Sequence, residues 1–342
     1  MFGFVAAVQF SILAGETLLW LTVLAWLAGA LVNRERVTVP PMFWPLVAYA
    51  AVTLVSVAFS LDPQTSLYSS KQLLLLLVVP VVYRLARGER ARTVLHIILT
   101  VGALSAALGV IQYGVLGYDN LARRVHGLLG HWMTYSGVLV LVTVAATARL
   151  IFGRKDRVWP ALIMPALVVA IVVSFTRSAW VGTCVAVAVL FAMKDFRLVV
   201  VVPVLVAGVL AIAIALAPAT LTGRFYSVVN LKDPTSSDRI SMLKAGVRIV
   251  GEHPLTGVGL DVIKRIYPEY RDRDAVEKNQ PHLHNVPMQI AAERGLPALA
   301  VWLWFIVALS AQVLQRFRLT RDRVLAAAAF GAIVAMLAAG MF

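Results

Sequence analysis

Three basic side chains in this sequence stand where an apolar chain has little reason to keep them. Arg177 interrupts IVVSFTRSAWVG, between two apolar runs with almost no polar residue to carry it into water. An arginine at membrane depth costs about 2.5–3.5 kcal/mol on insertion scales, so it persists by snorkelling to the interface, by a partner, or by an anionic ligand. Arg239 lies in SSDRISMLKAGVRIVGEHP, where Ser236 or Ser237 is expected to cap a helix. The apolar residues of that helix, Ile240, Leu243, Val247 and Val250, recur at helical spacing. Arg239 then falls in the first turn, where free N–H groups and the positive dipole end favour an anion. Its planar fork suits two phosphate oxygens at once, the alternative being a solvated surface arginine. His284 lies in QPHLHNVPMQIAAERG, just outside a helix mouth: Asn285 is an N-cap residue and Pro287 fits the first turn. Histidine is the side chain best poised to accept a proton near neutral pH, the alternatives being an interfacial histidine or a metal ligand. His282 and His284 lack a third and fourth ligand at motif spacing, with His253 the one further candidate, so no metal is expected.

Two arginines suited to a diphosphate and one histidine suited to a base point to transfer from a lipid diphosphate donor to a hydroxyl acceptor. No glycine-rich phosphate loop is present, in keeping with a donor that is not a soluble nucleotide, and no cofactor is expected. Lys71, Arg123, Arg124 and His126 fall on the same face and are accessory candidates for binding diphosphate or acceptor. Glu293 reads as a carboxylate on a helix surface, the alternative being one that orients a neighbour. The single cysteine, Cys184, sits mid-span and reads as a small packing residue, excluding an internal disulfide.

The elements that position these residues are membrane helices. Of the 342 residues, 60% are hydrophobic and only 14% charged, where a soluble chain carries roughly 25%. Mean hydropathy is +0.84. Apolar runs near the ~20 residues that cross a bilayer predict spans at 1–13 (short), 15–32, 41–59, 67–85, 93–116, 131–152, 158–175, 178–193, 197–217, 286–314 and 323–342. Basic joints recur after every even number of spans: Arg34/Arg36; Arg84/Arg87/Arg90/Arg92; Arg149/Arg154/Lys155/Arg157; Lys194/Arg197; Arg316/Arg318/Arg321/Arg323. The positive-inside rule makes that face cytoplasmic. It holds sixteen of the 31 Lys/Arg and five of the 17 Asp/Glu, so +11 of the net +14 is orientation charge rather than a nucleic-acid signal. Trp44, Trp132, Trp159 and Trp180 fall near span ends, as an aromatic belt does.

The expected organisation is a transmembrane helical region at 1–217, a large outward loop with amphipathic helices at 218–285, and C-terminal transmembrane helices at 286–342. The chain stops near the outer end of a span, which suggests a missing C-terminal piece. Within the loop, Pro254, Gly257 and Gly259 are expected to end the first amphipathic helix in a tight turn. The charges that follow, Lys264/Arg265 and Arg271/Arg273 among Asp261, Glu269, Asp272 and Asp274, read as a solvated face.

SFTRSAW around Arg177, SSDRISMLKAG around Arg239, HPLTGVGL at 253–260, HNVPMQIAAERGLPALA at 284–300 and the early FSLDPQTSLYSSKQLLLL together resemble the O-antigen ligase and polymerase family of bacterial envelope glycosyltransferases. Each motif is short, and their order along the chain carries the resemblance. It implies an all-α polytopic membrane protein of about 10–12 transmembrane helices, of the lipid-dependent (GT-C-like) glycosyltransferase type, with a large helical periplasmic loop. It implies metal-independent transfer of a glycan from undecaprenyl diphosphate at the periplasmic face of the bacterial inner membrane. Carried over by motif, His284 is the general base, and Arg177 and Arg239 bind the diphosphate. The acceptor hydroxyl, on a lipid A-core sugar, a glycan chain or a protein, separates ligase from polymerase and protein O-oligosaccharyltransferase. Outside the family, a transporter of an anionic substrate would use the same arginines as a funnel but calls for broken helices or inverted repeats. A structural membrane scaffold leaves Arg177 unexplained.

Overall fold

The computed structural model of the chain describes residues 1–120, 122–216, 234–272, 275 and 278–341. The first part of the expected large loop, 218–233, and Arg273 and Asp274 therefore lie outside the described residues. Among the described residues the fold is all-helical, with one isolated bridge between Asp119 and Arg124 in place of any sheet. Among the described residues, six helical stretches are long and apolar enough to cross a membrane: Ile12–Val32, Pro63–Leu85, Glu89–Gly114, Trp132–Phe152, Arg177–Lys194 and Val286–Leu319. Four shorter apolar helices accompany them. The chain is a polytopic membrane protein.

The described chain forms two compact units. The first comprises Met1–Thr38, Val81–Tyr226 and Ser310–Ala339. It contains α1 (Phe2–Ala7), α2 (Ile12–Val32), α6 (Glu89–Gly114), α7 (Trp132–Phe152), α8 (Val158–Val173), α9 (Arg177–Lys194), α10 (Val201–Leu216) and α14 (Val324–Ala339). The short span expected at 1–13 is corrected: α1 has six residues, about 9 Å at the helical rise, and turns before α2. α7 is the central helix, packed on α6, α8, α9 and α14 and buried nearly all round, as an interior helix must be. Small residues set the close approaches. A Cβ on Gly182 would meet the Ala335 backbone of α14 at 2.8 Å, and one on Gly331 the Val144 side chain of α7 at 2.7 Å. Outward-facing Leu13, Leu21 and Leu24 of α2 remain more than half exposed, the composition that lipid covers.

The second unit comprises Val39–Pro80, Ser227–Leu309 and Gly340–Phe342. It holds α3 (Phe43–Ala58), α4 (Pro63–Ser69), a 3₁₀ run Ser70–Leu77, α11 (Pro234–Glu252), α12 (Ile263–Tyr270) and most of α13 (Val286–Leu319). A short helix, α5 (Val78–Leu85), continues the 3₁₀ run. Asp62 caps α4, accepting from the Thr65 N–H at 3.2 Å, with Pro63 in the first turn.

Two expectations for α11 are corrected. The helix begins at Pro234, whose fixed φ suits a first helical position, so Ser237 lies inside it and neither Ser236 nor Ser237 is the cap. Arg239 is therefore in the second turn, away from the free N–H groups. The buried face is also rotated from the one expected. Ile240, Leu243 and Val247 are exposed, while Met242, Ala245 and Ile249 are buried with α12's Ile263 and Tyr267. Small residues explain the choice: a Cβ on Gly246 would meet the Leu283 side chain at 2.9 Å and that of Met288 at 2.5 Å, so this face alone admits them.

α13 carries the sharpest local device. Gly295, at φ 80 and ψ 169, breaks the helix, and Pro297 has no N–H to offer. The carbonyls thereby freed are taken by the loop that follows α11. Val258 N–H donates to Ala292 O at 3.0 Å, and Gly259 N–H to Glu293 O at 2.9 Å. Leu296 N–H donates instead to Pro254 O at 2.8 Å, and Ser56 Oγ adds a bond to Glu293 O at 2.9 Å. The tight turn expected from Pro254, Gly257 and Gly259 is present, with φ +64 and +103 at the two glycines.

Candidate functional site

Arg177 opens α9. Three residues, Ser174–Thr176, turn the chain from α8 into α9, and Phe175 adopts φ 54 while fully buried, a rare conformation for a bulky residue. Trp180 Nε1 clasps the turn by donating to Ile171 O at 2.9 Å. Arg177 itself is only 4% exposed, so the snorkelling alternative gives way to a built-in arginine. Its guanidinium is felt by Arg124, on the loop between α6 and α7. Burial, and then the Arg177 charge, lower the Arg124 pKa from its ordinary value. Two guanidiniums therefore lie within electrostatic reach of each other beside this turn.

The loop that carries Arg124 is set by a buried amide. Gln112 of α6 donates to Gly127 O at 2.8 Å and accepts from the Gly127 and His126 N–H groups at 2.8 and 3.1 Å. His126 packs edge-on against Tyr118, and the Arg123 guanidinium lies 4.3 Å from the centre of the same ring. Arg124 sits over Trp132 at 4.9 Å. Of the accessory candidates, Arg124 is thus grouped with Arg177. Lys71 belongs to the second unit, on the 3₁₀ run, with its ammonium 3.7 Å above the Tyr68 ring.

In the second unit, His284 stands immediately before α13. Asn285 caps the helix as expected, its Oδ1 accepting from Met288 N–H at 3.0 Å. The Val286 N–H is taken by Gly340 O at 2.7 Å. His284 itself adopts φ 51, a left-handed conformation that a histidine enters only when its surroundings dictate it. Its ring lies 4.2 Å from that of His282. Burial first, then His282, then the Arg239 charge push its pKa down to about 4. The imidazole is therefore neutral at any physiological pH. Arg239 thus lies near enough to His284 for its charge to act on the ring. His282 is lowered as well, by burial.

Two residues were misjudged or missed from sequence. Glu293 is not a surface carboxylate: it is 5% exposed, because the break at Gly295 turns its turn of helix inward against the Val258–Asp261 loop. Its Oε1 accepts from Asp261 N–H at 3.0 Å and from Gln289 Nε2 at 2.7 Å, and its Oε2 from Arg294 Nη1 at 2.7 Å. Gln289 then accepts from the Leu283 N–H at 2.7 Å, fixing the peptide next to His284. A carboxylate and an amide at i, i+4 in an apolar stretch were the available signal for this network, as Gln112 in GVIQYG was for the other loop. Among the described residues no three His, Cys, Asp or Glu side chains cluster as a metal site.

The family model described as O-Antigen ligase matches residues 161–303. Arg177, Arg239, His284, Gln289 and Glu293 fall within that range, while Lys71, Arg123, Arg124 and His126 precede it. No curated protein matches the chain.

Proposed function

From the match of residues 161–303 to the O-antigen ligase family model, we propose that this chain belongs to that family and transfers a glycan from undecaprenyl diphosphate to an acceptor hydroxyl at the periplasmic face of the bacterial inner membrane. The observation that carries this reading is the neutral His284, held in a left-handed conformation at the mouth of α13 within the electrostatic reach of Arg239.

The proposed step is a single displacement. The acceptor oxygen attacks the anomeric carbon as His284 takes its proton, and the bond from that carbon to the diphosphate oxygen breaks. Arg177 and Arg239 stabilise the charge that builds on the departing diphosphate, with Arg124 beside Arg177 in the same role. A base with a pKa near 4 is a weak proton acceptor in the free protein. A diphosphate bound at Arg239 offsets the positive charge that contributes to that lowering, so donor binding strengthens the base it is about to use. A lipid A-core sugar is the proposed acceptor, which makes the protein a ligase. A glycan chain or a protein hydroxyl would make it a polymerase or a protein O-oligosaccharyltransferase.

The test uses protein reconstituted in lipid with undecaprenyl-diphosphate-linked glycan and each acceptor class in turn. Sugar should move to one acceptor with release of undecaprenyl diphosphate, and a chelator should leave turnover intact. Arg177→Ala and Arg239→Ala should each lower turnover by about 10²-fold, the usual effect of removing a transition-state donor. Lysine at either position should recover only part of this, since an ammonium lacks the planar fork. Flux of the glycan across the bilayer without covalent transfer would instead establish a transporter.

A further inference from the structure

The second unit contains a cavity of about 580 Å³ that the transfer chemistry above does not use. It lies along α13, with residues from both sides of the Gly295 break contributing to its wall. Its polar groups are the Ser69 hydroxyl, the Gln72 and Gln289 amides, the Asp261 and Glu293 carboxylates and the Arg294 guanidinium. Its aromatic groups are Tyr49, Trp302 and Phe305. Among the described residues, neither the Gln72 amide nor the Asp261 carboxylate makes a hydrogen bond to another side chain, and Arg294 Nε is buried without a partner. Two exposed polar side chains, Gln72 and Asp261, and one buried guanidinium nitrogen without a partner therefore meet on a space whose remaining wall is largely aromatic or aliphatic.

We propose that this cavity binds a neutral, hydroxyl-rich sugar, the terminal residue of the glycosyl acceptor. Charge selects the ligand class. Glu293 and Arg294 pair with each other at 2.7 Å, which leaves Asp261 as the uncompensated charge, so a phosphate is repelled here. A sugar needs the opposite: hydroxyl donors meet carboxylate and amide oxygens, and hydroxyl oxygens meet amide and guanidinium N–H groups. The C–H faces of its ring pack on aromatic surface, and the volume lies within the usual range for a small-molecule site. Chemistry also links the cavity to the base. Gln289 lines it and accepts from the Leu283 N–H, the residue before His284, while Val286 two residues later is part of the wall.

The acceptor role rests on the transferase reading, but sugar binding does not, and the two are measured separately. In lipid nanodiscs, saturation-transfer NMR with neutral mono- and disaccharides should show saturable binding to the wild-type protein. That signal should be lost in Gln72→Ala/Asp261→Asn and in Trp302→Leu, with thermal unfolding showing the variants folded. In the transfer assay, Gln72→Ala/Asp261→Asn should raise the acceptor KM about tenfold and leave the donor KM and kcat unchanged. Absent sugar binding, binding that survives both variants, or a resident phospholipid that sugar fails to displace would overturn the proposal. So would an unchanged acceptor KM. Saturable binding lost in the variants, in a protein that transfers no glycan, would support the cavity and sink the transferase reading. Transfer that needs His284 but ignores the cavity variants would do the reverse.

Discussion

Burial, the adjacent His282 ring and the Arg239 guanidinium all favour the neutral form of His284 and hold its pKa at about 4. In the unfolded chain a histidine titrates near 6.5. Between those values the folded protein binds fewer protons at this site than the unfolded one, so its contribution to stability rises with pH across the window and is lost as pH falls through it. The same shift predicts the pH profile of transfer. kcat/KM reports the free enzyme, and its acid limb should lie near pH 4 rather than 6.5. The kcat limb should lie higher, because a bound diphosphate offsets the Arg239 charge. An acid limb of kcat/KM at 6.5 or above, absent from His284→Gln, would contradict this account of the base. At this scale the sequence was informative where one residue type has one strong use: Asn285 before Pro287 is an N-cap, and it is one. It was silent on burial. Glu293 and Gln289 look like surface residues of an apolar helix, and only the break at Gly295 turns them inward.

The helices of the spans were legible because apolar run length and capping residues act locally. α7 and α8 begin within one residue of expectation, and α9 opens at Arg177 itself. α11 was not, since its periodicity fits more than one face, and Gly246, which admits Met288 and Leu283, decides which is covered. The break in α13 is the element-scale feature with the firmest consequence. A Cβ on Gly295 would run into the Leu255 carbonyl, and its φ of 80 is one that alanine avoids. Gly295→Ala should therefore destabilise the protein by more than about 1 kcal/mol, read as a lower thermal midpoint. It should also lower transfer, because the loop from Pro254 to Asp261 is tied to this break. A variant with wild-type midpoint and turnover would show that the break is dispensable. Asn285→Ala should cost about 1 kcal/mol by loss of the cap and loosen the peptide that carries His284.

Across the whole molecule, charge and hydropathy predict a topology in which the arginine-rich joints face the cytoplasm and the residues before α13 face outward. In intact cells, with Cys184 replaced, a membrane-impermeant maleimide should label a cysteine at the exposed Leu255 and spare one at Lys155. The opposite pattern would invert the proposed face of catalysis. Composition made the class of the protein legible, and the order of short motifs made the likeness to the O-antigen ligase model at 161–303 legible. The acceptor was not, since its recognition is spread over Gln72, Asp261 and Trp302, which share a cavity only after folding. The central claim is that this fold performs base-assisted transfer from a lipid diphosphate. It is tested most directly by single-turnover transfer from purified undecaprenyl-diphosphate glycan, comparing wild type with His284→Gln at equal donor occupancy and equal thermal midpoint. The account predicts a rate loss of about 10²–10⁴-fold, the range for a general base. A His284→Gln protein that transfers within a few-fold of wild type would contradict it.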